Sequence, residues 1–112
     1  MKIYHNPRCS KSRQTLSLIQ ENGVEPEVVL YLENIPTANE MKDLLSKLAI
    51  SPMQLIRKGE TAWKENYKGK ELSDEQIIEA MIDNPKLIER PIVVKDNKAV
   101  LGRPPENVLE LL

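Results

Sequence analysis

Cys9 is the only cysteine in the chain, and it stands in an opening stretch, Met1 to Arg13, that reads MKIYHNPRCSKSR. A short apolar run, Ile3 and Tyr4, leads into the turn-forming pair Asn6-Pro7, and the thiol comes directly before a segment of good helix formers. His5, Arg8, Lys11 and Arg13 are close by in sequence. A helix N-terminus and cationic neighbours are what lower a thiol's pKa, from about 8.5 to roughly 3.5–7.5. The competing reading of a lone cysteine is a small buried hydrophobe with no role. Such a residue belongs in a periodic apolar stripe, whereas no aliphatic or aromatic residue lies within three positions of Cys9 on either side. A reactive thiolate is therefore expected.

His5, the only histidine, either tunes that thiolate or passes a proton, or it simply ends a strand with a solvated ring. Ser12 completes Cys-x-x-Ser, a spacing at which its hydroxyl could reach the sulfur across the first helical turn. Two alternatives fail on residue identity. A cysteine-phosphatase loop needs an arginine six residues after the cysteine, and that position is Thr15. A thioredoxin-like dithiol needs a second cysteine where Ser12 stands. Any disulfide chemistry at Cys9 must borrow its second thiol from another molecule. Three distant arginines also draw notice: Arg57 ends the apolar segment QLIRK, Arg90 directly precedes Pro91 and the run IVV, and Arg103 sits between Gly102 and Pro104. Taken singly, each reads equally well as a solvated surface charge.

These residues need elements to position them. Lys2 to His5 reads as a short strand, Ser10 to Asn22 as a helix stopped by Gly23, and Glu27 to Leu32 (EVVLYL) as a strand buried on both faces. Strand, helix and strand in this order predict a right-handed βαβ unit with a parallel pair. Thr37 with Glu40 forms a capping box before Met41, Leu44, Leu45 and Leu48. Ser51-Pro52 predicts a helix start carrying Met53 and Ile56 inward. Trp63 and Tyr67 are docking points for a short helix. Ser73 and Gln76 cap a helix with Ile77, Ile78, Met81 and Ile82 on its inner stripe, and Asn84-Pro85 begins another short helical piece. Ile92 to Val94 and Lys98 to Leu101 predict a hairpin turning at Asp96-Asn97, and Pro104-Pro105 leads into a closing helix with Val108, Leu109 and Leu112.

The sum is one α/β domain over residues 1–112: a thioredoxin-like fold, with a four-stranded mixed sheet and a helical insert, about 37–90, between its βαβ and ββα halves. In this arrangement antiparallel pairing puts Arg90 and Arg103 at the same end of the sheet. A cis Pro91, usual in thioredoxin-type folds, brings its loop toward the thiol. A planar guanidinium suits a tetrahedral oxyanion.

Composition sets outer bounds. With 112 residues, 40% apolar and 29% charged, the chain is long enough for one core. Sixteen Lys and Arg against 17 Asp and Glu leave a net charge of −1, which gives no excess positive charge for nucleic acid. One Trp, three Tyr and no Phe leave the core to aliphatic side chains and provide no stacking platform for single strands. No apolar run approaches the roughly 18 residues of a membrane span, and the opening residues do not read as a signal peptide. A monomer in a reducing cytoplasm, with no bound cofactor or metal, is expected.

HNPRCSKSR, VVLYLEN, LIRK, NPKLIERPIVV and GRPPENVLELL together resemble the glutaredoxin-dependent arsenate reductase (ArsC) family, in order and over essentially the whole chain. Within the family the likeness runs to the YfgD-like branch, which shares the HNPRCSKSR opening. Plasmid-borne members carry small residues where this chain has Arg8 and Ser10-Lys11. The resemblance implies that Cys9 is the nucleophile forming a covalent thiol-arsenate adduct, with His5 and Ser12 tuning it. It also implies that Arg57, Arg90 and Arg103 surround the oxyanion. Glutathione as co-substrate and glutaredoxin as partner would complete the reduction to arsenite. Two other functions remain open at this point. One is a general monothiol, glutathione-linked oxidoreductase. The other, ranked last because Ser12 removes the Cys-x-x-Cys switch, is an Spx-like regulator that binds RNA polymerase.

Overall fold

The computed structural model describes residues 1–112 and contains four strands, four α-helices and three 3-10 helices. It divides into two compact units, Met1–Asn34 with Arg90–Leu112, and Ile35–Glu89.

The first unit holds the whole sheet. Its strands β1 (Lys2–Tyr4), β2 (Glu27–Val29), β3 (Ile92–Lys95) and β4 (Lys98–Leu101) lie in the order β2-β1-β3-β4. β1 pairs in parallel with β2 and antiparallel with β3, and β3 pairs antiparallel with β4, so the sheet is mixed. Helix α1 (Ser10–Glu21) supplies the parallel crossover. Gly23, at φ +81°, ends it in a conformation that a side chain would disfavour. Ile3, Ile19, Val93, Val108 and Leu111 form the buried cluster that joins sheet, α1 and the C-terminal segment. Asp96, at φ +55°, makes the tight reversal between β3 and β4.

Two expectations need correction here. The run EVVLYL is not a strand buried on both faces: β2 stops at Val29, forms a sheet edge, and leaves Val28 41% exposed. Leu30 to Asn34 then turn, with the Glu33 and Asn34 N–H groups donating to the Leu30 carbonyl at 3.0 and 2.8 Å. The apolar run is two things in sequence, an edge and a turn that sinks Tyr31 into the interior. The closing segment Pro105–Leu111 is a 3-10 helix rather than an α-helix. With three residues per turn, Pro105, Val108 and Leu111 share the inner face while Leu109 and Leu112 are exposed.

The second unit is helical. α2 (Ala38–Leu48) opens on the Thr37/Glu40 capping box, and α4 (Asp74–Asp83) on the Ser73/Gln76 one. Between them come the 3-10 helix Pro52–Leu55 and the short α3 (Thr61–Asn66), whose Trp63 is buried and stacks on Tyr67 with ring centroids 5.6 Å apart. Ile56 and Ile88 form an isolated antiparallel bridge, flanked by Arg57 N–H to Leu87 O (2.7 Å) and Glu89 N–H to Leu55 O (2.8 Å). Arg57 is thus fixed by its backbone, and its guanidinium reaches Glu60 at 3.3 Å.

Candidate active site

The loop from β1 to α1 is built by its own polar groups. His5 N–H donates to Val29 O at 2.8 Å, which carries the parallel pairing one residue past β1. The Asn6 side chain accepts from Arg8 N–H at 3.0 Å, and Asn6 O accepts from Cys9 N–H at 3.0 Å, so the turn closes around Pro7. Arg13 Nη1 donates to Pro7 O at 2.8 Å and ties the loop to the first turn of α1.

Cys9 is the N-cap residue of α1, with extended backbone (φ −94°, ψ 122°). Its sulfur therefore occupies the place where a capping oxygen would accept helix N–H groups. The Ser12 N–H is aimed at the sulfur and favours its anionic form, although it falls short of a strict capping hydrogen bond. The residue is 8% exposed. Burial pushes the thiol's pKa up, but the Ser12 N–H, the Arg90 guanidinium and Arg103 outweigh it, and the net shift is downward. Arg103 Nη2 lies 3.8 Å from Sγ, and Arg103 Nε donates to Arg90 O at 2.8 Å. The register Ile92↔Leu101 puts Arg90 and Arg103 at one end of the hairpin, and both are followed by cis prolines, Pro91 and Pro104.

Gly102 makes this approach feasible. A Cβ there would sit 2.5 Å from Thr15 Oγ1 and 2.7 Å from Pro91 Cγ. Only a glycine lets the end of β4 pass between α1 and the cis-proline loop, with Thr15 Oγ1 donating to Lys11 O at 2.8 Å and approaching Gly102 O at 3.3 Å.

His5 and Ser12 are arranged differently from the simplest expectation. His5 Nδ1 lies 2.6 Å from Ser12 Oγ, and Asn6 N–H donates to the same oxygen at 3.0 Å, all buried. The Ser12 hydroxyl is engaged on the loop, and it is the Ser12 backbone that faces the sulfur. Burial first, and the charge of Arg13 second, lower the His5 pKa, which favours the neutral ring whose Nδ1 meets the Ser12 hydroxyl.

Cys9, His5, Ser12, Arg90 and Arg103 all belong to the first unit. Arg57 belongs to the second, where its Nη1 is buried with no hydrogen-bond partner beyond the Glu60 ion pair. Sequence reasoning missed Asn6 as the loop's organiser and Tyr31 as a neighbour of the thiol. The available signal for Tyr31 was a phenol inside an otherwise aliphatic run. No group of three or more His, Cys, Asp or Glu is placed to hold a metal ion, and no helix is long and apolar enough to cross a membrane.

A mixed four-stranded sheet in the order β2-β1-β3-β4, with a single thiol at its first strand-helix junction, is a thioredoxin-like fold. The chain belongs to the ArsC family, whose profile matches residues 4–111. It is 59% identical to YfgD of Escherichia coli strain K12 over 114 aligned residues, covering 100% of this chain and 96% of that protein. An arsenate reductase of Haemophilus influenzae is 43% identical, with 98% and 97% covered. The structure of an arsenate reductase from Vibrio cholerae superposes with a TM-score of 0.95 at 48% identity, covering 99% of this chain and 96% of that one.

Proposed function

We propose that the protein is an arsenate reductase in which Cys9 attacks the arsenic of bound arsenate. The observation that carries this reading is the sulfur at the head of α1 with Arg103 Nη2 3.8 Å away and Arg90 beside it. The same positive field that favours the thiolate attracts an oxyanion, so nucleophile and substrate are recruited by one set of charges. In the first step an S–As bond forms and an As–O bond breaks. The departing oxygen takes up a proton and leaves as water, which gives a Cys9 thiol-arsenate adduct. Two electrons must then reach arsenic. With a single cysteine in the chain, they come from external thiols. Glutathione then adds to the adduct as a second As–O bond breaks and its oxygen leaves as water. The glutaredoxin thiol attacks the glutathione sulfur, so those two sulfurs become a disulfide and the S–As electron pair stays on arsenic. Water finally hydrolyses the Cys9 S–As bond, which releases arsenite and restores the thiol. The names of the relatives support the substrate, and the lone cysteine supports an external thiol pair. Arg57 carries its anion-binding assignment from the family resemblance alone.

The test is arsenate-dependent turnover by purified protein with glutathione and glutaredoxin, alongside mass spectrometry of Cys9 after incubation with arsenate. Turnover that Cys9→Ser abolishes, with an arsenic-containing adduct on Cys9, is expected. Plain glutathionylation of Cys9 without arsenate turnover would replace this reading with a general monothiol oxidoreductase.

A further inference from the structure

Tyr31 is the largest fully buried side chain of the protein, at 1% exposure, and its hydroxyl has no hydrogen-bond partner. A buried hydroxyl left unpaired is a standing cost that phenylalanine would avoid at nearly the same volume. The phenol is not in neutral surroundings. Burial raises its pKa most; the Arg90 guanidinium works against that, the Cys9 charge adds to it, and Asn6 lies alongside, leaving the value at about 12. Arg90 and Asn6 are near enough to act on the hydroxyl, yet neither closes a hydrogen bond of sound geometry. Arg90 has its own unmet donor, because its Nε is buried with no partner. Two orphaned donors, one neutral and one cationic, therefore belong to the group of side chains around the thiol. Both call for an acceptor rich in oxygen lone pairs, and a tetrahedral oxyanion has several.

We propose that the Tyr31 hydroxyl is an oxyanion-contacting donor of the Cys9 site, held unpaired beside Arg90 until the anion arrives. The inference rests on the anion-site reading above and adds a residue to it. Because the proton stays on the phenol throughout the working pH range, Tyr31 binds without adding charge and leaves the thiol's own titration alone.

The experiment uses the full chain and its Tyr31→Phe variant. Cys9 is alkylated with iodoacetamide, without any thiol donor, over a range of arsenate concentrations and separately over a range of pH. Arsenate should protect Cys9 in the wild-type protein. In Tyr31→Phe, half-protection should need at least about 10-fold more arsenate, as expected for losing a hydrogen bond to a charged group. The pH profile of alkylation should not move, and the thermal midpoint should be equal or higher. Equal protection of both proteins overturns the inference. So does a shifted pH profile, which would place the hydroxyl on the sulfur, or a lower midpoint, which would show a structural partner. Absence of protection in the wild-type protein is a separate result: it removes the anion site itself, and Tyr31's role with it.

Discussion

Gly102→Ala isolates the close approach that lets Arg103 reach the thiol. The added methyl would begin 2.5 Å from Thr15 Oγ1 and 2.7 Å from Pro91 Cγ, each about 1 Å inside ordinary contact. Neither neighbour yields easily. Thr15 is fully buried with its hydroxyl on Lys11 O at 2.8 Å, and Pro91 is a fully buried ring. Overpacking of this kind costs about 1–3 kcal/mol. An unfolding entropy of about 2.1 cal/mol/K per residue turns that into a fall in Tm of roughly 4–13 °C for a chain of this size. Gly59 provides the matched control, because a Cβ there meets nothing within 4 Å. Gly59→Ala should be neutral or stabilising by up to about 1 kcal/mol through reduced entropy of the unfolded chain. Thermal denaturation followed by circular dichroism reads both. Adding Thr15→Ala to Gly102→Ala should cost less than the two single losses summed, since it removes the atoms that clash. A Gly102→Ala protein that melts at or above the wild-type temperature would refute the steric account, and with it the claim that the end of β4 requires a glycine.

Arg103→Ala should raise the Cys9 pKa, read as a shift of the alkylation-rate profile to higher pH; an unmoved profile would show that the 3.8 Å contact does not tune the thiol. The folded-state pKa of Cys9 is depressed, so its contribution to stability is fully present above the unfolded value of about 8.5 and is lost as pH falls through the folded value. Stability measured by urea titration should therefore rise with pH across that window, and Cys9→Ser should remove the rise. Ser12→Ala strips the buried Asn6 N–H and His5 Nδ1 of their shared partner and should cost about 1–3 kcal/mol, whereas a loss below 0.5 kcal/mol, or about that, would mean water replaces the hydroxyl. Thr37→Ala removes one arm of the α2 capping box and should cost about 0.5–2 kcal/mol in denaturant titration.

The fold was readable where one signal had one meaning. Capping boxes at Thr37 and Ser73 name their helix starts because the side chain and the N3 residue both show in sequence. The four strands and their mixed pairing follow from the order of segments and the turn at Asp96. EVVLYL misled because continuous hydrophobicity reports burial summed over a run, not which residue is buried. There Tyr31 goes in while Val28 stays out. The terminal segment misled because apolar residues at 108, 109, 111 and 112 fit an α period as well as a 3-10 one, and the choice depends on what the sheet and α1 leave to be covered. At the site, the place of Cys9 at the head of α1 was legible from the order of strand, turn and helix, and the Arg90–Arg103 pairing from the hairpin. The diversion of the Ser12 hydroxyl to His5 was not, because it depends on which direction the loop turns after Pro7.

The exposed edge formed by β2 has a consequence for how copies of this protein meet. A sheet edge is a template for a neighbouring chain, and long apolar edges invite ordered aggregation. β2 has only three residues. It follows Pro26, which has no N–H to offer, and it gives way at once to the turn beginning at Leu30. Its first residue, Glu27, pairs with Lys2 at 3.4 Å and sets an ion pair on the rim. A second molecule sliding into register there would find few backbone hydrogen bonds to make and a carboxylate to bury or repel. Shortness and charge protect the edge beside the thiol loop, so that the sheet next to it does not become a seed for fibres.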